Sequence, residues 1–295
     1  MYEKLKVCPV CKHQEFSNFI ICSDHLITEE SFAIVQCSNC GLKFTNPRPT
    51  ADNIDAYYQS NEYVSHKSKS LTLTDHIYNL VRKYTLKKKL GLINSVATQT
   101  GNLLDVGCGT GLFLKTCKAG GWNTTGVETN EKARTIAISN NLGVIHDDIL
   151  KLEGKKRFRI ITLWHVLEHI HDLNGSMERF RKLLKKDGKL IIAVPNSDSW
   201  DSQHYRNLWA AYDVPRHLYH FNQLIINYLA KQCKFGVHQV IPMKLDAFYV
   251  SLLSEKYLHG SNRFMRAIKN GLKSNQWAKR NQNNYSSLIY ILSKK

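Results

Sequence analysis

Four groups of residues in this chain carry chemistry by their type and spacing. Cys8-Pro-Val-Cys11 and Cys37-Ser-Asn-Cys40-Gly41 are two Cys-x-x-Cys turns with 25 residues between them. Such a pair brings four thiolates to the corners of a tetrahedron, a structural zinc site that leaves no open position for catalysis. Residues Leu103–Leu114 read as an apolar run ending in Asp105, then glycines at 107, 109 and 111, then an apolar helical pattern. That is strand, tight turn and helix start. A side chain on those glycines would force a disallowed positive φ or hold a ligand off the backbone, so the turn reads as a nucleotide-type binding loop. Further on, His165, Glu168 and His169 stand at i, i+3 and i+4, a spacing that shares one helical face. The segment Asp213–Phe221 adds His217 and His220, and histidine is the side chain suited to proton transfer near neutrality.

The elements that must position these groups follow from periodicity. Glu15–Ile21 and Ser31–Gln36 read as short strands carrying the cysteine turns, so residues 1–46 form a zinc ribbon. Asn46-Pro-Arg-Pro-Thr50 is an extended connector. Residues 47–94 form a linker and helical cap, in which Tyr57, Tyr58 and Glu62–His66 can lie over a cofactor and Asp75–Ile93 is a basic amphipathic helix. After the glycine turn come a helix closed by Gly120-Gly121, a strand Asn123–Val127 ending at Glu128, and a helix Glu131–Asn141 closed by Gly143. A third strand with acids at its end, Asp147 and Asp148, is followed by a buried strand Phe158–Trp164, a helix to Asp187-Gly188 and a strand Lys189–Val194. Asn222–Cys233, Val237–Pro242 and Tyr285–Leu292 complete the alternation, with basic amphipathic helices inserted at about 246–283. The expected fold is α/β: a Rossmann-like seven-stranded sheet, six strands parallel and one antiparallel, over residues 95–295. Cys22, Cys108, Cys117 and Cys233 have no partner at ligand spacing and read as small buried hydrophobes.

Two ligand classes compete for the glycine turn. A dinucleotide loop puts its third glycine at 112, which here is leucine, so the spacing disfavours NAD or FAD. Asp105-x-Gly107-x-Gly109-x-Gly111 resembles the first motif of class I S-adenosylmethionine-dependent methyltransferases. Trp164–His169 is similar to the Leu-Glu-His segment after the fourth strand in the bacterial group related to ubiquinone-type O-methyltransferases, and Asp213–Leu218 is similar to a pocket-closing segment of related enzymes. The family often has Asp directly after the phenylalanine that opens the fourth strand; this chain has Arg159. The resemblance implies S-adenosyl-L-methionine as cofactor, held by Asp105, Gly107, Gly109, Gly111, Glu128 at the ribose, Asp148 at the adenine amine, Ile149, Trp164 and His165. It implies His165, His217 and His220 as candidate catalytic groups, with His165 nearest the methyl. Ubiquinone-type enzymes hold a divalent metal at the position of His165, Glu168 and His169 through two acids and a histidine. One acid is replaced here by His165.

Composition bounds the partners. The chain has 41 Lys and Arg against 24 Asp and Glu, a formal net charge of +17, and no acid after Glu255 while nine basic residues follow it. This balance suits an anionic partner or a solvated lysine-rich surface. No apolar run reaches the roughly 18 residues of a membrane span, and the N-terminus is charged and cysteine-bearing, unlike a signal peptide. The chain therefore reads as cytoplasmic, with a structural Zn2+. The preferred expectation is methyl transfer to O or C of a small or glycan- or lipid-linked metabolite. RNA or protein methylation is the alternative, and a non-catalytic zinc- and nucleic-acid-binding protein the third. Nucleic acid is not favoured as the partner, and the basic C-terminal segment leaves peripheral membrane contact open.

Overall fold

The computed structural model describes every residue except 59–72, 141, 143–144, 147 and 153–156, with the backbone alone for 73–80 and 145–146. Glu62–His66, Gly143 and Asp147 therefore lie outside the described residues. The N-terminal part contributes β1 (Tyr2–Glu3), β2 (Phe16–Ser23), β3 (Ser31–Cys37), β4 (Lys43–Thr45), β5 (Arg48–Pro49) and a short 3₁₀ turn at Ile54–Tyr58. The rest alternates: α1 (Leu73–Val96), β6 (Asn102–Val106), α2 (Leu112–Ala119), β7 (Asn123–Val127), α3 (Glu131–Ser139), β8 (Ile145–His146) and β9 (Phe158–Trp164). Then follow α4 (Leu173–Leu183), β10 (Leu184–Pro195), α5 (Trp200–Tyr205), β11 (Tyr219–His220), α6 (Gln223–Gln232), β12 (Phe235–Pro242), α7 (Asp246–His259), α8 (Phe264–Arg280) and β13 (Ser287–Lys294).

The large sheet runs β12-β13-β10-β9-β6-β7-β8. From β8 to β10 all neighbours are parallel, and β13 is antiparallel to both β10 and β12. Central strands of such a sheet are covered on both faces and read as continuous apolar runs. β9, Phe-Arg-Ile-Ile-Thr-Leu-Trp, is buried from Phe158 to Leu163. Its only charge, Arg159, leaves the sheet at the far end, where it pairs with Asp187 at 2.7 Å. The carboxyl ends of β6, β7 and β9 all point to one edge, where open α/β sheets bind ligands. β10 starts at Leu184, earlier than periodicity suggests, because α4 runs straight into it; its register with β9 shifts between Leu184 and Lys189.

The cysteine-bearing part is not a free-standing appendage. Its sheet has the order β11-β4-β3-β2, and β11 comes from far down the chain, with Tyr219 opposite Phe44 and His220 opposite Lys43. Cys8, Val10, Cys37 and Phe44 share one apolar core with Leu163, Met177, Leu218 and Phe221. The segment Asp213–Phe221 looks too polar for a core, yet Val214 to Phe221 are all buried, because the polar groups are paired. The fully buried Arg216 donates from Nη2 to Asp24 Oδ1 at 2.8 Å and to Asp213 Oδ1 at 2.7 Å, and from Nη1 to the carbonyl of Tyr57 at 3.0 Å. Asp24, on the β2–β3 connection, also accepts the amides of Leu26 and Thr28.

Removing one member of a buried ion cluster strands the others without a counter-charge, which costs about 3–5 kcal/mol. Arg216→Leu should lower the unfolding free energy by about that much in urea melts, and Arg216→Lys, which lacks the planar fork, should recover only part of it. Loss of less than about 1 kcal/mol in Arg216→Leu would mean that the cluster does not join the two parts.

Candidate active site

The glycine turn is built by its backbone. Gly107, Gly109 and Gly111 have φ of +68°, +55° and +80°, a region that L side chains rarely occupy. Gly107 and Gly111 are also sterically closed: a Cβ on Gly107 would stand 2.5 Å from Val166, and one on Gly111 would strike Leu142. Gly109 differs, since a Cβ there would meet nothing within 4 Å. Its side of the loop is open and its amide donates to Glu128 Oε2 at 2.7 Å, while Glu128 Oε1 accepts the amide of Asn130 at 2.8 Å. Glu128 is thus fixed at the end of β7 against the loop.

Asp105 is buried beneath the turn, where the Thr162 hydroxyl donates to it at 2.6 Å. Burial raises its pKa to about 7, against the opposing pull of Thr162 and the Lys89 ammonium. Lys89, on α1, was not singled out by the sequence. Its Nζ sits 4.3 Å from the centre of the Trp164 ring, and burial lowers its pKa while Asp105 and Asp246 favour its charge. Trp164 packs edge-on against Phe113, and its buried Nε1 has no hydrogen-bond partner among the described residues. At the third strand end, Asp148 Oδ1 accepts the amide of Leu150 at 2.8 Å and Ile149 is buried.

At the exit of β9 the structure departs from the expected helix face. His165 has a left-handed φ of +56° and the following 3₁₀ turn is only Leu167–His169, so His165 does not continue the helical line of Glu168 and His169. Its ring instead lies between two acids: Nε2 is 3.1 Å from Asp246 Oδ2 and Nδ1 is 3.5 Å from Glu168 Oε1. Burial opposes its charge, but the Asp246 and Glu168 carboxylates prevail and raise its pKa to about 10. His165 is therefore held as an imidazolium and has no lone pair with which to act as a base. Asp246, on the first turn of α7, carried no motif signal because it is brought in only by the tertiary fold.

The partner that joins Glu168 and His169 is His217. One ligand atom from each of the three lies within 4.8 Å of the others. His169 Nδ1 is 3.0 Å from the Arg216 carbonyl and 2.9 Å from the Tyr58 hydroxyl; His217 Nδ1 is 2.9 Å from the Ala211 carbonyl. A carbonyl only accepts, so Nδ1 carries a hydrogen in both rings, and the lone pair of a neutral ring is then at Nε2. Burial and the neighbouring His217 hold His169 neutral, with a pKa lowered to about 4. Burial disfavours the Glu168 charge, yet the His165 ring, 3.5 Å away, and the neighbouring histidines keep its pKa low. Neither Glu168 oxygen has a hydrogen-bond partner among the described residues. His220, by contrast, sits fully buried in the small sheet with Nε2 3.3 Å from Thr45 Oγ1, and burial lowers its pKa well below the usual value.

The four cysteine sulfurs converge as well. Cys8–Cys40 and Cys11–Cys37 are 3.6 and 3.5 Å apart, all four sulfurs lie within 4.8 Å of one another, and none is in a disulfide. Gly41 relaxes the second turn with a φ of +77°.

A family model described as a methyltransferase domain matches residues 78–240. Ubiquinone biosynthesis O-methyltransferase of Pelagibacter ubique (strain HTCC1062) is 32% identical over 100 residues, covering 32% of this chain and 42% of that protein. The protein of the same name from Glaesserella parasuis serovar 5 (strain SH0165) is 31% identical over 134 residues, covering 41% and 54%. The chain thus spans about half the length of these curated relatives. Magnesium protoporphyrin IX methyltransferase from Synechocystis PCC 6803 with bound SAH shares the fold at a TM-score of 0.53 and 13% identity, over 81% of this chain and 97% of that one. Burkholderia thailandensis 1,6-didemethyltoxoflavin-N1-methyltransferase does so at 0.51 and 16%, over 93% and 100%.

The raised pKa of Asp105 carries a signed consequence. Folded, it holds its proton up to about pH 7; unfolded, it titrates near its ordinary value of about 4. The folded state binds more protons between these values, so its stability is greatest below about pH 4 and falls as pH rises toward 7. Asp105→Asn should flatten that fall and leave the variant a few kcal/mol more stable than its parent above pH 7, read from thermal melts across pH. An unchanged pH profile would show that Asp105 is ionised throughout.

Proposed function

The chain belongs to the methyltransferase-domain family, and we propose that it transfers the methyl group of S-adenosyl-L-methionine to an oxygen of a small or glycan- or lipid-linked metabolite. The observation that carries this reading is the open cradle at Gly109. A left-handed glycine with free space where a Cβ would stand lies beside the Glu128 carboxylate. Bound there, S-adenosylmethionine supplies an electrophilic methyl on a sulfonium. In this reading Gly107, Gly109 and Gly111 admit the cofactor to the loop backbone and Glu128 holds the ribose hydroxyls. Asp148 and Ile149 receive the adenine. Lys89 is the cation available for a carboxylate, held over Trp164 between Asp105 and Asp246. Orientation for in-line displacement supplies about 7–11 kcal/mol in favourable cases. A hydroxyl acceptor also needs its proton removed. Since His165 is held charged, the proton acceptor in this reading is Nε2 of His217 or His169, and Glu168 stabilises the imidazolium that results. His220 then supports the fold of the pocket wall through Thr45.

The cysteine set fits a structural zinc. A tetrahedron with Zn–S bonds of ~2.3 Å has S···S edges of about 3.8 Å, close to the two spacings of 3.5 and 3.6 Å. Glu168, His169 and His217 favour a second reading, in which they hold a divalent cation. Imidazoles that donate Nδ1–H to a carbonyl and offer Nε2 are the usual form of metal-ligating histidine, and the buried Glu168 carboxylate, 3.5 Å from His165 Nδ1, has no hydrogen-bond partner among the described residues. A cation there supplies Lewis acidity toward an acceptor oxygen.

Calorimetric titration with S-adenosylmethionine and S-adenosylhomocysteine should give micromolar affinity, abolished by Gly109→Val through intrusion into the cradle. No binding by folded, zinc-loaded protein would overturn the enzymatic reading. Metal analysis separates the two roles of the histidine cluster. About one zinc per chain is expected from the cysteines, and a second metal lost in His217→Ala would establish the cation, whereas a single zinc in both proteins leaves the cluster as the proton acceptor.

A further inference from the structure

Helix α8 is packed the wrong way round for an ordinary surface helix, which buries large apolar side chains and exposes polar ones. Its buried side is Ala267, Gly271, Ser274 and Ala278. These small residues let it lie close on α7: a Cβ on Gly271 would stand 2.6 Å from the Phe248 ring. Trp277, near its end, packs against the main core, but the other large apolar residues face outward. Phe264, Met265, Ile268 and Leu272 are all exposed, Met265 by 80%. At about 100° per residue, these four fall in a single sector of the helix. Lys269, Lys273 and Arg266 occupy the sector beside it, and no acid occurs anywhere after Glu255.

We propose that this face of α8 docks on an anionic lipid bilayer surface, with the apolar sector entering the headgroup–acyl boundary and the basic sector meeting the lipid phosphates. An apolar stripe edged by Lys and Arg is what an interfacial helix presents to such a surface. Charge complementarity selects this occupant. A second copy of the chain brings the same net charge of +17 to the contact, and a nucleic-acid backbone has no use for an exposed sector of Phe, Met, Ile and Leu, since phosphate contacts are made by basic and polar groups. No helix among the described residues is long and apolar enough to cross a membrane, so the contact lies on the surface. The proposal stands independently of the methyl-transfer reading.

The test is flotation of the full-length protein with vesicles of phosphatidylcholine with and without phosphatidylglycerol. Binding should appear with phosphatidylglycerol, weaken at least tenfold without it, and weaken with added salt. Met265→Ser with Ile268→Ser changes two exposed side chains, should leave the circular dichroism spectrum unaltered, and should lower partition by about tenfold or more. Lys269→Gln should lower it about fivefold. Three outcomes overturn the proposal: no flotation with phosphatidylglycerol; flotation that the Met265→Ser, Ile268→Ser pair leaves unchanged, which is charge adsorption without insertion; or a dimer in sedimentation velocity that the same pair abolishes, which assigns the face to a second copy.

Discussion

The buried Arg216 guanidinium is the constraint on which the rest of the structure depends. Removing a cation from water is tolerated only when anions and acceptors surround it, and Arg216 draws these from three distant places: Asp24 in the cysteine-bearing part, Asp213 in its own loop, and the carbonyl of Tyr57. The same stretch of backbone reaches the site. The Arg216 carbonyl accepts a hydrogen bond from His169 Nδ1, and the Leu218 amide donates to the Glu168 carbonyl at 2.8 Å. One ion cluster therefore fixes both how the N-terminal sheet closes on the large one and how the residues after β9 are held.

Around that anchor the site separates its charges. His165 is charged between Asp246 and Glu168, while His169 is neutral a few residues on. Both are partly buried histidines, so desolvation alone pushes each toward neutrality; what distinguishes them is the charge of their neighbours. With the left-handed backbone of His165, its ring lies between Glu168 and Asp246 on α7. Backbone strain of that kind persists where the surroundings over-determine it, here through the Ala193 carbonyl that accepts the His165 amide at 2.9 Å and the two carboxylates.

Much of this was legible in the sequence wherever the cause is local. Asn123–Val127 and Phe158–Trp164 are strands with the bounds read from the sequence, and the glycine turn and cysteine pairs announce themselves because each depends on a few adjacent residues. The inserted helices, too, are where their amphipathic pattern puts them. What could not be read is what tertiary contact alone supplies. Lys89 and Asp246 sit in unremarkable helical sequence, and only the fold brings their charges to the carboxyl ends of the central strands. The i, i+3, i+4 spacing of His165, Glu168 and His169 suggests a shared face, but a positive φ at His165 breaks it, and no pattern in the sequence marks a residue for the left-handed region unless it is glycine. The polar Asp213–Phe221 segment likewise belongs in the core because its partners come from the other end of the chain.

The placement of β11 bears on the order in which the molecule can be made. During synthesis the cysteine turns emerge well before β11, and β4 then waits as an open sheet edge until Tyr219 and His220 have left the ribosome and can pair with Phe44 and Lys43. An unpaired edge is a template for pairing with other chains, and contacts so remote in sequence close slowly. The N-terminal unit is thus first to appear and last to be finished. It cannot be moved as a cassette to another protein, or replaced by another metal-binding module, without carrying its strand from the far side of the chain.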